Sequence, residues 1–201
     1  MKLNPNSFFN GYFEEINLND FFRRNGTPCN PTYQQEALNK LKFNTWGGYG
    51  ERRDYMFRGS YLTREQNFTH LGIDINIKAG TPVCCPFDCQ VVDIFIDKDT
   101  DIGWGTRLIL KKRNSKSNLL LVIGHLERDF IYPFRQRNFG KRKNYFLKDD
   151  CLGRVGKMPT NGNVFHHIHV QAIKSENIKT FDGYGFDCDL VKNPNPFKVE
   201  W

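Results

Sequence analysis

Two short stretches hold the residue types that do chemistry at a metal. The first is His70-Leu-Gly-Ile-Asp74, followed by Ile75-Asn-Ile77. His70, Gly72, Asp74 and Asn76 fall on one side of a period-two pattern, and Leu71, Ile73, Ile75 and Ile77 fall on the other. That alternation, rich in β-branched residues, predicts a half-buried strand rather than a helix. An imidazole and a carboxylate then point the same way with only a glycine between them, a small polar gap that suits a metal ion. The second stretch is His167-Ile-His169, inside Val164–Gln171. On a strand His-x-His offers two nitrogens in one direction. Catalytic zinc commonly takes three protein ligands from His and Asp/Glu and leaves a fourth position to water. Each pattern alone also fits the wet face of an ordinary strand; both in one chain favour a site.

The order of these motifs resembles that of the lysostaphin/LytM-type zinc metallopeptidases. The resemblance runs from about residue 65 to 172. It is carried by His70-x-x-x-Asp74, the Gly80-Thr-Pro-Val83 turn with a strand ending at Gln90-Val-Val92, Gly124-His125, a turn region with Gly153-Arg-Val-Gly156 and Thr160-Asn-Gly-Asn163, and His167-Ile-His169. It implies one zinc per chain held by His70, Asp74 and His169, with His125 and His167 serving catalysis, and it does not divide the roles between those two. It also implies a peptidase acting on peptide crosslinks of bacterial cell walls, on a mainly β fold with an antiparallel sheet groove that holds zinc on its floor. Three positions depart from the family pattern: His166 stands for the usual Pro, Val170 for Phe and Gln171 for Glu. Read without the resemblance, His125 at the end of Leu119-Leu-Leu-Val-Ile-Gly-His125 is a core histidine bonded to backbone.

Many short strands separated by turns predict a mainly antiparallel β domain. Val83–Cys85, Cys89–Ile96, Thr106–Lys112 with Leu119–His125 as a hairpin, and Leu152–Val155 read as strands. The chain divides into an N-terminal extension, residues 1–54, packing on a peptidase-like domain, residues 55–201. Thr32 with Gln35 reads as a capping box opening a short helix over 32–42, and Trp46–Arg53 as a loop bearing aromatic and basic groups. The tail from Lys174 to Trp201 wraps the domain. The polar turn Asp97–Asp101 lacks the spacing and final Glu of a calcium loop.

Of 201 residues, 39% are hydrophobic and 14% aromatic, enough for a packed core. Lys and Arg outnumber Asp and Glu by 29 to 22. This favours anionic partners, and Arg135–Lys143, with five basic residues in nine, is the expected binding loop for an anionic ligand. Nucleic acid is not the expected partner; a peptide or peptidoglycan-like substrate is. No apolar run is long enough to cross a membrane, and no signal-type core follows Met1. The expected compartment is therefore cytoplasmic, or periplasmic or extracellular if the sequence is a piece of a longer chain. The six cysteines show no C-x-x-C pair and read as reduced thiols. Two rival readings are an intracellular zinc hydrolase of the same fold acting on a non-cell-wall anionic substrate, and a non-catalytic module binding an acidic polymer or protein.

Overall fold

The alternating run around His70 folds as two strands, because the chain must pass over a histidine. A computed structural model describes residues 1–59, 66–97, 103–129 and 144–201. Its strands are β1 (Phe13–Glu15), β2 (Asn44–Gly47), β3 (Thr69–His70), β4 (Ile73–Asn76), β5 (Pro82–Cys84), β6 (Cys89–Ile96), β7 (Thr106–Lys112), β8 (Leu119–Leu126), β9 (Tyr145–Phe146), β10 (Cys151–Arg154), β11 (His167–Lys174) and β12 (Tyr184–Gly185). Two helices, α1 (Leu18–Arg24) and α2 (Pro31–Asn39), precede β2. Between β3 and β4 the Leu71 N–H donates to Gly183 O (2.9 Å), out of register with the main sheet. Gly72 then crosses His169 so closely that a Cβ would overlap the imidazole Nε2. Only glycine fits there.

The main sheet has eight strands in the order β1-β2-β4-β11-β8-β7-β6-β9. All neighbours are antiparallel except β1 and β2. The chain is thus mainly β, as expected. In the centre, β11 pairs with β4 through His169↔Asp74 and with β8 through His169↔Gly124. Period-two alternation gives this sheet two unlike faces. Ile73, Ile75, Leu108, Leu110, Leu121, Ile123, Ile168, Val170 and Ala172 turn into the main core, where Leu3, Phe8, Phe9, Val83, Leu152 and Trp201 meet them. The opposite face carries Asp74, His169 and Gln171, with a smaller apolar group of Ile109, Leu120, Val122 and Ile173 further along.

Residues before 55 do more than cover the core. β2 adds to β4 through Thr45↔Asn76 and Gly47↔Asp74, so part of the expected Trp46–Arg53 loop is strand. Helix α1 had no clear period in the sequence; Asn17 caps it by accepting the Asp20 N–H (2.8 Å). The α2 cap is Asn30, whose side chain accepts from Thr32 N and Tyr33 N (3.0 and 3.3 Å), rather than the Thr32–Gln35 box, and the helix ends at Asn39. Leu18, Phe22 and Leu38 from these helices pack with Met56 and Phe165. The tail closes on the molecule as expected: β12 pairs with β3 and Trp201 is buried against Phe87. All six cysteines are free thiols.

Phe8 is fully buried in the main core. Phe8→Ala is expected to cost about 3–5 kcal/mol of unfolding free energy, the usual loss for a buried phenylalanine. Urea unfolding checks it, with a midpoint shift at unchanged slope as the expected result.

Candidate metal centre

Three imidazoles from two strands converge on a single carboxylate oxygen carried by a third. Asp74 Oδ1, on β4, lies 3.3 Å from His70 Nε2 (β3), 3.2 Å from His169 Nδ1 and 3.5 Å from His167 Nε2, both on β11. His70 Nε2 and His169 Nδ1 are 2.9 Å apart. All four residues are buried. His125 completes the group, its ring centroid 4.4 Å from that of His167.

Outer hydrogen bonds fix what each ring presents to the centre. Gly48 O can only accept, so His70 Nδ1, 3.0 Å away, carries the proton and Nε2 turns a lone pair inward. The same reasoning applies to His167 Nδ1 on Phe165 O (2.8 Å) and His125 Nδ1 on Asn161 O (2.7 Å). For His169 the partner is Gln171 Oε1, 2.9 Å from Nε2. The Gln171 amide nitrogen donates to Asp182 O and Asn193 Oδ1 (2.9 and 2.8 Å), which fixes its oxygen as the acceptor toward His169. His169 Nδ1 therefore also turns a lone pair inward. Two imidazole lone pairs and a carboxylate oxygen face one another with no proton between them. Such a set repels itself unless a cation sits among its members. Ligands at zinc distances in a tetrahedron lie roughly 3.3 Å apart, close to the spacings found here, so these residues fit a metal ion.

The electrostatics keep protons out of the centre. Burial and then the Arg53 charge push His70 down to about 3. Burial likewise lowers His167, and it drives His125 well below the ordinary imidazole value, with His167 and His169 adding to the effect. Burial would raise Asp74, but His70 and Arg53 outweigh it and hold the carboxyl well below its usual range. Arg53 is 1% exposed and donates from Nη1 to Asp74 Oδ2 (2.6 Å) and to Tyr184 Oη (2.9 Å), and from Nε to Glu51 Oε2 (3.0 Å). Its neutralising pair, Glu51, is buried as well. Gly48 packs against Arg53 Nη2 with φ +101°, a conformation that glycine alone adopts freely.

His125 sits in strained backbone. Its φ is +60°, rare for a non-glycine residue. The Trp104 carbonyl accepts its N–H and the Gly156 N–H donates to its carbonyl, both at 2.9 Å, which holds it there. The Trp104 ring lies nearly parallel to His125 and meets the edge of His169. The β7–β8 ladder shifts register at this point, between the pairs Thr106↔Leu126 and Leu108↔Ile123, and the ring lines the cleft instead of the core.

All five residues singled out in the sequence thus meet in one place. His70 does so from its own two-stranded ribbon, not from the strand that carries Asp74. His166 faces away, and its N–H bonds to Gln35. The basic stretch Arg135–Lys143 lies outside the described residues, as do residues 98–102 of the polar turn. Arg53, Glu51 and Tyr184 carry no motif; the only hint in the sequence is a charged pair, Arg52-Arg53, beside a glycine-rich turn. Among the described residues no helix is long and apolar enough to cross a membrane.

No protein-family model matches the chain, and no curated protein does. Solved structures that it is similar to include the catalytic domain of the prophage-encoded M23 protein EnpA from Enterococcus faecalis, at 19% identity over 60% of this chain and 77% of that one, TM-score 0.39. Another is the catalytic domain of the antimicrobial peptidase lysostaphin from Staphylococcus simulans, at 16% identity over 62% and 80%, TM-score 0.40. A third is a zinc containing peptidase from Vibrio cholerae, at 16% identity over 54% of this chain and 28% of that one, TM-score 0.39.

Two outcomes follow from the charge arrangement. Arg53→Met leaves two buried carboxylates without their cation and is expected to cost about 3–5 kcal/mol, read by chemical denaturation of the metal-free protein. In that same protein, His70 and His125 have folded pKa values below the unfolded 6.5. The unfolded chain therefore binds more protons below pH 6.5, and stability falls as the pH drops from there toward about 3. Thermal melts across that range check the slope, which a folded state with protonated histidines would reverse.

Proposed function

We propose that the protein is a zinc-dependent hydrolase of an amide bond, with His70, Asp74 and His169 as the ligands of one zinc and His125 and His167 as the catalytic pair. The observation that carries the reading is the convergence of His70 Nε2, Asp74 Oδ1 and His169 Nδ1 as three acceptors within hydrogen-bond range of one another. A two-histidine, one-carboxylate set leaves room for further ligands, which suits a catalytic rather than a structural zinc. When bound, zinc supplies a Lewis acid that polarises a carbonyl and lowers the pKa of water toward neutrality.

The chain's own residues do the rest. His125 and His167 each keep a neutral Nε2 free of a proton, able to accept one from a nucleophilic water and to return it to a leaving amine. Once protonated, either ring can donate to a developing oxyanion. Their Nδ1 carbonyl partners hold the tautomer through both steps. Gln171 orients His169 as a carboxylate would, but without adding charge to the centre. The motif order supports peptide crosslinks of peptidoglycan as the substrate.

His169→Ala removes a ligand, so zinc content and turnover are both expected to fall. His125→Ala leaves the three ligands in place. Zinc is expected to remain while the rate drops about a hundred- to ten-thousand-fold, the range of general acid–base catalysis. Metal analysis paired with mass spectrometry of the soluble products from purified peptidoglycan reads both outcomes. If His125→Ala loses zinc as readily as His169→Ala, His125 is a ligand and the division of roles is wrong.

A further inference from the structure

The sheet face that bears the metal centre continues sideways beyond it. Opposite His169 stands Gly124, where a Cβ would crowd the Trp104 indole (2.7 Å), so Trp104 roofs a position without a side chain. On the next strand, β7, Arg107 lies beneath the same indole. Its guanidinium is 5.2 Å from the Trp104 ring centroid, 4.9 Å from Phe95 and 5.4 Å from Phe181. Two strand spacings put the Arg107 backbone about 10 Å from that of His169 across the sheet. Both line one cavity of about 570 Å³ together with His125, His167 and Asp182.

Arg107 keeps an unused hydrogen-bond donor. Among the described residues no carboxylate lies within ion-pair distance of it, and its Nε is buried without a hydrogen-bond partner. Two of the neighbouring acids accept backbone N–H groups rather than the guanidinium: Asp97 Oδ2 from Trp104 (2.8 Å) and Asp182 Oδ1 from Gly183 (2.6 Å). Burial lowers the Arg107 pKa, the nearby Asp97, Asp182 and Asp93 charges oppose that fall, and a guanidinium stays charged through such a shift. A cationic ligand would meet that charge in a box of rings it already fills. A planar fork of N–H donors in a partly dry cleft is matched best by a carboxylate.

We propose that Arg107 is a specificity-determining anchor for a substrate carboxylate, so that the preferred substrate is a peptide with a free carboxylate within about three residues of the scissile bond, each extended residue spanning about 3.3 Å. The distance argument rests on the hydrolase reading above; the anion subsite itself does not.

The test uses zinc-loaded protein carrying His125→Ala, so that bound peptide persists, and an acetylated alanine tetrapeptide prepared as free acid and as carboxamide. Isothermal titration is expected to show the acid binding about ten- to a hundredfold more tightly, the usual margin of a charge-assisted contact. Adding Arg107→Met should erase the margin while leaving the amide's affinity unchanged, and Arg107→Lys should keep part of it. Equal affinity for the two forms, binding of neither, or a margin that survives Arg107→Met overturns the proposal. The first comparison needs no change at Arg107, so a folding defect cannot mask it. If the Arg107-dependent margin is found but protein with His125 intact cleaves no peptide, the anion subsite stands and the hydrolase reading fails.

Discussion

The Asp74 carboxylate is the constraint on which the rest of the structure depends. It is buried, and an ionised group out of water requires compensation on both oxygens. Oδ2 is taken by Arg53 and Oδ1 is left to three imidazoles. Arg53 brings its own buried counter-charge, Glu51, so the pair is neutral and Asp74's charge remains for whatever cation the imidazoles enclose. Satisfying this group draws in the chain from far apart: the 48–53 turn supplies Gly48, Glu51 and Arg53, and the tail supplies Tyr184. The N-terminal segment and the tail are therefore walls of the centre as well as cover for the core.

The same sheet serves packing and chemistry because alternation keeps them on opposite faces. On β11, Ile168, Val170 and Ala172 anchor the strand in the main core, and His167, His169 and Gln171 stand on the other side with their rings already oriented. Rigid apolar packing behind the strand limits how far the donors can drift, which pre-organises the set. Gly72 and Gly124 clear the space directly around His169, so the ring is reached from the cleft and not smothered by its neighbours.

How much of this could be read from residues alone varies with the range of the interaction. The central strands β6, β7, β8 and β11 were legible because each is a long period-two run, and His70, Asp74, His167 and His169 because paired metal-ligand spacings are rare; His125 was legible only through the motif order of the resembling family. What the pattern around His70 concealed was the break at Leu71-Gly72, since a glycine inside an alternating run keeps the period while changing the partner strand. Helix α1 was hidden because Leu18, Phe21 and Phe22 pack against residues distant in sequence. Arg53 was invisible for a related reason: its role depends on an ion pair with Asp74, 21 residues away, which no local pattern encodes. Gln171, a departure from the resembling family, keeps a comparable orienting hydrogen bond through its amide oxygen.

The central claim is that one nitrogen from His70, one from His169 and one oxygen from Asp74 form the inner surroundings of a zinc ion. X-ray absorption at the zinc edge, on protein loaded with one equivalent of metal, tests it most directly. The account predicts nitrogen and oxygen neighbours at about 2.0–2.2 Å, with outer scattering from two imidazole rings. A sulfur neighbour at about 2.3 Å, or protein that retains no zinc after buffer exchange, would contradict it.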